Sequence, residues 1–474
     1  MKTTKLNQII FKCIAALLIS ASTYAQVGVG TITPDASSMM DVSSTNKGML
    51  APRMTTAQRV AIATPANGLL VYDITENAFY FYKVSVWTKI DSVVRNNYKL
   101  IKSAADLSAE LAAGGGTRYL LTSNTLYEIN GTITLAQPIE LNNAYIIGLD
   151  TNEDILVRVG GAIFTGATGG SIRNLTLTAP GGTVFNLSGA NTQNLIFRDS
   201  IVANSGSVGT ISGFGLVFLS VIQYSGNTNG ITYNNITDLL MSNLGWQANN
   251  SGTYETFTGT FEFIEKQGGF SKVNGANVGI NVSSNPTVNI GVLTGTSFSG
   301  TSTQFINRYT VGSYTGFNFS KNWTVNCPGI PRESDDVAIG YYNMNGNATN
   351  TTFVASNIPS KIAGTTTSTN LFRIESSNNR LTYKGSKPRN FEIICTGTID
   401  HSSGGNRIFT YYVYKNGVQL PSISAERRFP NNDIGNFTII GPVYMAVDDY
   451  VEVWVENQTN SGNTLITKLS VLLK

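Results

Sequence analysis

Ile211–Val221 reads ISGFGLVFLSV, Ile231–Leu240 reads ITYNNITDLL, and Phe257–Ile264 reads FTGTFEFI. Each run is rich in Val, Ile, Thr, Phe and Tyr and is bounded by Gly, Asn or Ser, the signature of a short strand between turns. Working outward, the same signature covers Leu126–Leu135, Ile139–Leu149, Ile155–Phe164, Ser171–Thr178, Val184–Leu187, Asn194–Ile201, Val278–Val282 and Val288–Leu293. No helical periodicity interrupts the chain between residues 118 and 330. The runs recur about every 20 residues, a period that points to a solenoid. In a β-solenoid each coil buries its apolar side chains against the coils above and below it. The sequence therefore predicts a parallel β-helix over 98–346. An antiparallel sandwich pair is the alternative for the same runs.

Composition narrows the class. Charged residues make up 13% of the 474, about half the ~25% of ordinary domains. Hydrophobic content of 41% and aromatic content of 10% are enough for packed cores, which argues against disorder. The net charge of +3 comes entirely from Lys2, Lys5 and Lys12, and beyond residue 25 bases and acids balance at 29 each. No basic stripe for nucleic acid and no polybasic membrane patch is indicated.

Residues 1–25 read as a signal peptide: Lys2 and Lys5, the short apolar stretch Ile14–Ala21, and small residues ending at Ala25. The expected location is secreted or cell surface, with no membrane insertion after removal of that segment. Of three cysteines, Cys13 lies inside it, and Cys327 and Cys395 are expected to be separate buried thiols.

Residues 26–97 form a small first module. Thr55-Thr56-Ala57-Gln58 is a capping box opening a short helix, and Leu69–Ile74 with Ala78–Val84 is a hairpin. Phe79-Tyr80-Phe81-Tyr82 is aromatic on both faces, so both should be covered. The segments Asp41-Val42-Ser43-Ser44, Lys47-Gly48-Met49-Leu50, Pro52-Arg53-Met54-Thr55 and Gly68-Leu69-Leu70-Val71-Tyr72-Asp73 resemble a module of secreted surface and tail-fibre-like proteins of the Bacteroidetes. That resemblance implies attachment or spacing rather than chemistry. Ser103-Ala104-Ala105-Asp106 caps a second helix, with Leu107 and Leu111 on one face, ending at Gly114-Gly115-Gly116 and covering the end of the solenoid core.

The coil segments Tyr127–Ile133 and Gly169–Leu175 resemble β-helical proteins of phage tails and fibres, which implies a right-handed parallel β-helix followed by a small β domain. Such phage proteins lack a signal peptide, so a bacterial secreted protein built from fibre-type domains reconciles the two features. Residues 347–474 predict an antiparallel β-sandwich: Asn416-Gly417 is a hairpin turn, and Val451, Val453 and Val455 alternate with Glu452, Trp454 and Glu456. The segment Asp448–Asn457 resembles the last hairpin of jelly rolls of the tumour necrosis factor group, which implies trimers. Tyr412, Tyr414 and Trp454 are the expected contacts of a homotrimer.

Chemistry is sparsely signalled. His401, the sole histidine, reads as a solvated turn residue rather than part of a nucleophilic site. One histidine and two distant cysteines cannot make a structural zinc site, and no cofactor is expected. The acids that could flank a glycosidic bond are Glu255 with Glu262 and Glu265, or Glu333 with Asp335 and Asp336. Sugar platforms could come from Tyr224, Tyr233, Trp246, Tyr254, Tyr314 and Trp323. No catalytic, cofactor or metal residue is assigned, and the ligand-binding residues are left open. The overall expectation is a non-catalytic fibre- or adhesin-type surface protein binding glycans or cell surfaces. The alternatives are a β-helical polysaccharide lyase or hydrolase, and an inert spacer.

Overall fold

The computed structural model describes residues 3–19, 26–90, 95–334, 336–401 and 405–474. The cleavage position at Ala25, Asp335 and Ser402-Ser403-Gly404 lie outside them. Two units are resolved, 1–96 and 97–474.

In the first unit, Thr3–Ile19 is helical, and no described helix is long and apolar enough to cross a membrane. The capping box is present: Thr55 and Gln58 satisfy each other's backbone donors at the start of the helix Thr56–Val60. Leu70–Asp73 and Ala78–Lys83 form the expected hairpin inside a four-stranded sheet. Arg59 ties the helix to this sheet through Asp73, at 2.8 Å, while its guanidinium lies 3.8 Å over the Tyr80 ring. The second expectation for this hairpin fails. Phe79 is exposed, and Tyr80, Phe81 and Tyr82 are only half-buried. A single layer of sheet has one helix to cover it, so part of the aromatic surface stays open.

The second unit is a parallel β-helix capped at its far end by an antiparallel sandwich. Among the described residues, a nine-stranded sheet from Tyr119–Leu120 to Ile306–Asn307 forms one face, and a fifteen-stranded sheet supplies the others. All pairings in both are parallel, which removes the sandwich alternative for this region. The register runs Ile196, Phe218, Leu240, Glu265, Val292, so a coil takes 22 to 27 residues here, more than the expected 20. The apolar runs are faces, not coils, because each coil bends at a residue with positive φ. One corner stacks Asn174, Asp199, Val221, Asn243, Gly268 and Gly295, all with φ between 52° and 67°. Asparagine and glycine tolerate that region, and the turn chemistry thus recurs at each coil. At another corner a buried ladder crosses coils: Ser205 N donates to Asn227 Oδ1, and Asn227 Nδ2 donates to Asn250 Oδ1 at 3.0 Å.

The near end is closed as the sequence implies. Ala104–Leu107 is a 3₁₀ turn leading into the helix Ser108–Ala113; Leu107 is buried and Leu111 packs against the core. Glu110, also buried, accepts from Tyr127 Oη and pairs with Lys99 at 2.6 Å.

The sandwich packs a five-stranded sheet against a six-stranded one around Phe391, Ile393, Phe409, Tyr411, Val453 and Leu469. Ile339–Asn345, inside the stretch read as the end of the solenoid, already pairs with Leu465–Leu473 in this sandwich. Cys327 and Cys395 are free and buried in separate cores. His401 is not a solvated turn residue. It ends the strand Arg389–His401, is buried, meets Phe409 edge-on at 5.8 Å, and contacts the Gly405 carbonyl through Nε2. Strand pairing with Asp433 carries it into the core, where a turn position would have left it in water.

Candidate functional site

Most of the residues singled out from the sequence turn inward. Tyr224, Tyr233, Trp246, Tyr254 and Trp323 are buried in the solenoid core and present no platform to a ligand. Strand alternation in a closed coil sends every second side chain inside, and large aromatics fill the space between coils. Tyr314 alone of the six reaches the surface region, half-buried beside Phe372 at 5.3 Å.

The acid clusters separate in the same way. Glu255 is fully buried against Lys266, whereas Glu262 is exposed and accepts from Asn289 at 2.7 Å. Glu255 and Glu262, on opposite sides of the coil wall, cannot flank one bond, and the half-buried Glu265 accepts from Gln267 Nε2. Glu333 is buried at 1% exposure and accepts the backbone N–H of Asn318 at 2.7 Å and of Phe319 at 2.9 Å. Asp336 is exposed and paired with Arg332. Glu333 therefore holds the last loop of the solenoid, and burial pushes its carboxyl up to about 7 against the pull of those N–H groups and Arg373.

Among the open sites of the described residues, two bear on ligand binding. The first is a cleft of about 650 Å³ where the last solenoid loop meets the sandwich, lined by Tyr314, Lys321, Asn322, Glu375, Lys384 and Asp448 among others. Lys384 Nζ lies 2.7 Å from Asp448 and 3.6 Å from Glu375. The bond to Asp448, then the charge of Glu375, raise the Lys384 ammonium above its usual range. A glycosidase needs one carboxyl kept protonated. Here both carboxylates are open to solvent and share one ammonium. The arrangement suits recognition of a charged group.

The second is a groove of about 560 Å³ on the solenoid flank, lined by Ile201, Ala203, Gln223, Ser225, Gln247, Ala248 and Asn249. Gln247 Nε2 donates to Gln223 Oε1 at 3.2 Å, and Asn249 Nδ2 donates to Ser225 Oγ at 3.0 Å. The amides of Gln223, Gln247 and Asn249 are exposed and keep further donor and acceptor capacity. The floor of Ile201, Ala203 and Ala248 is apolar, and no charged residue lines it. Sequence reading named Tyr314 of the first site and no residue of the second. Their residues are far apart in the chain or individually ordinary, and only the coil register brings Ala203 beside Ser225. Among the described residues no cluster of three or more His, Cys, Asp or Glu could hold a metal.

Residues 28–105 match the model of a family described as the phage tail like trimerisation region. No curated protein matches the chain. Among solved structures, one similar chain is the enzymatically active domain of tailspike protein 4 of bacteriophage CBA120. The two share 9% identity, the match covers 90% of this chain and 77% of that one, and the TM-score is 0.23. At so low a TM-score the likeness carries no structural inference.

Proposed function

We propose that this protein is a secreted, homotrimeric, fibre-type surface protein that binds a glycan and does not cleave it. The observation that carries the binding role is the uncharged flank groove, where a Gln223–Gln247 amide pair and an Asn249–Ser225 pair lie over an apolar floor. Sugar rings offer hydroxyls at their edges and C–H patches on their faces, and such a groove complements both. Binding by a neutral surface also fits a chain whose bases and acids balance beyond residue 25.

Trimer formation is assigned to the N-terminal region, on the match over residues 28–105. That unit leaves Ile32, Met49 and Leu50 exposed at 99%, 63% and 76%. Three copies brought together would cover such a surface and repeat a weak glycan site three times. The sandwich aromatics give this reading less support than the sequence suggested. Tyr414 stacks on Trp454 at 4.4 Å, and Trp454 Nε1 donates to Glu452, so each shields the other within one chain.

The test is a glycan array probed with the full protein and with Gln223→Ala/Gln247→Ala. The variant should lose binding by about tenfold or more, equivalent to ~1.4 kcal/mol. Binding that survives it unchanged removes the groove from the proposal. The enzymatic alternative rests on Glu375 and Asp448 in the cleft; glycan turnover abolished by Glu375→Gln or Asp448→Asn would establish it. N-terminal sequencing of exported protein should begin at Gln26, and a retained Met1 would count against the secretion reading.

A further inference from the structure

The middle of the solenoid core contains a polar layer that the surface function does not use. Glu255 and Lys266 pair there at 3.0 Å, with side chains 0% and 2% exposed. In register, Glu255 lies between Ile231 and Ile280, and Lys266 between Met241 and Leu293. Apolar residues therefore seal the pair from the coils on either side. Around it, Tyr224 Oη, Tyr233 Oη, Trp246 Nε1, Ser271 Oγ and the second carboxylate oxygen of Glu255 are buried without a hydrogen-bond partner. Tyr254 stacks on Trp246 at 4.5 Å and directs its hydroxyl toward Glu255, but without a bond of sound geometry.

Such a concentration of orphaned groups in an otherwise satisfied core demands a partner. The chemistry restricts what that partner is. Glu255 and Lys266 cancel in charge, so a bare ion would be left buried with no counter-charge. The orphaned groups are mostly donors, with one carboxylate oxygen as a strong acceptor. Water accepts two bonds and donates two, which matches this mixture.

We propose that the solenoid encloses ordered water at this layer, bound by the free carboxylate oxygen of Glu255 and by the hydroxyls of Tyr224, Tyr233 and Ser271. The layer then fixes the stacking of the coils. A one-residue slip would turn Glu255 outward and leave Lys266 and the water without their counterpart.

Tyr233→Phe and Ser271→Ala test this through the sign of their effect. If the hydroxyls bind enclosed water, deleting either removes satisfied bonds, and the melting temperature falls by about 1–3 °C. If they are dry orphans, deletion relieves a desolvated group, and an unchanged or higher melting temperature overturns the proposal. A crystal structure of the full chain at a resolution that orders solvent supplies the second readout. Oxygen density within about 3.2 Å of Tyr233 Oη and Glu255 is expected. A dry layer overturns the proposal as well.

Discussion

Arg373, on the sandwich, donates through Nη2 to the backbone carbonyl of Glu333, on the loop leaving the solenoid, at 3.1 Å. The same nitrogen reaches the carbonyl of Trp323 at 2.7 Å, and Phe372 beside it stacks on Phe317 at 3.8 Å. Arg373 is fully buried and sits at φ 54°. One strained, buried cation thus closes the end of the solenoid core and joins it to the sandwich.

Arg373→Met should destabilise the unit 97–474, because it removes the charged donor from the carbonyls of Trp323 and Glu333, the latter keeping only a 3.4 Å bond from the Val325 N–H, and a hydrogen bond to a charged group is worth about 1.5–3 kcal/mol. Denaturant unfolding measures the loss, and limited proteolysis should show new cutting between residues 326 and 338. An unaltered midpoint would mean the junction is held by its aromatic contacts alone.

Glu333 gives the junction a pH dependence. Its folded-state value of about 7 stands above its unfolded value of 4.5, so the folded chain binds this proton more tightly. The resulting stability is fully present below pH 4.5 and is lost as pH rises through about 7, a change on the order of 3 kcal/mol. Glu333→Gln should flatten the stability profile between pH 4.5 and 7.5. A variant that keeps the wild-type slope would assign the dependence to another group.

Val221 occupies a corner position at φ 54° between Asp199 and Asn243, which share its conformation. A β-branched side chain is poorly tolerated there, and Val221 is 47% exposed, so little burial offsets the strain. Val221→Asn should stabilise the solenoid by about 1 kcal/mol, read as a raised unfolding midpoint. A lowered midpoint would show that the valine contributes packing that its exposure does not suggest.

Sedimentation of the full chain at micromolar concentration should give the mass of three chains. Leu50→Asp combined with Ile32→Asp should reduce it to one chain, since charge cannot be buried at a three-fold contact without a partner. Trp454→Glu should leave the trimer intact. The reverse pattern would move the interface to the sandwich.

Strand content, solenoid class and both capping boxes were legible because they depend on local chemistry. Turn residues such as Asn235, Asn243 and Gly268 punctuate apolar runs, and Thr55 with Gln58 or Ser103 with Asp106 satisfy backbone groups three residues away. The coil length was read short because a corner residue with positive φ looks, in sequence, like the end of an element. What a side chain faces was not legible at all. Tyr224, Trp246 and Glu255 looked like surface chemistry, and His401 like a loop residue, because residue type is local while inside and outside are set by register across strands more than twenty residues apart. Only the closed coil turns those aromatics and Glu255 into core, brings Gln223 beside Gln247 on the flank, and places Glu375 and Asp448 around one lysine.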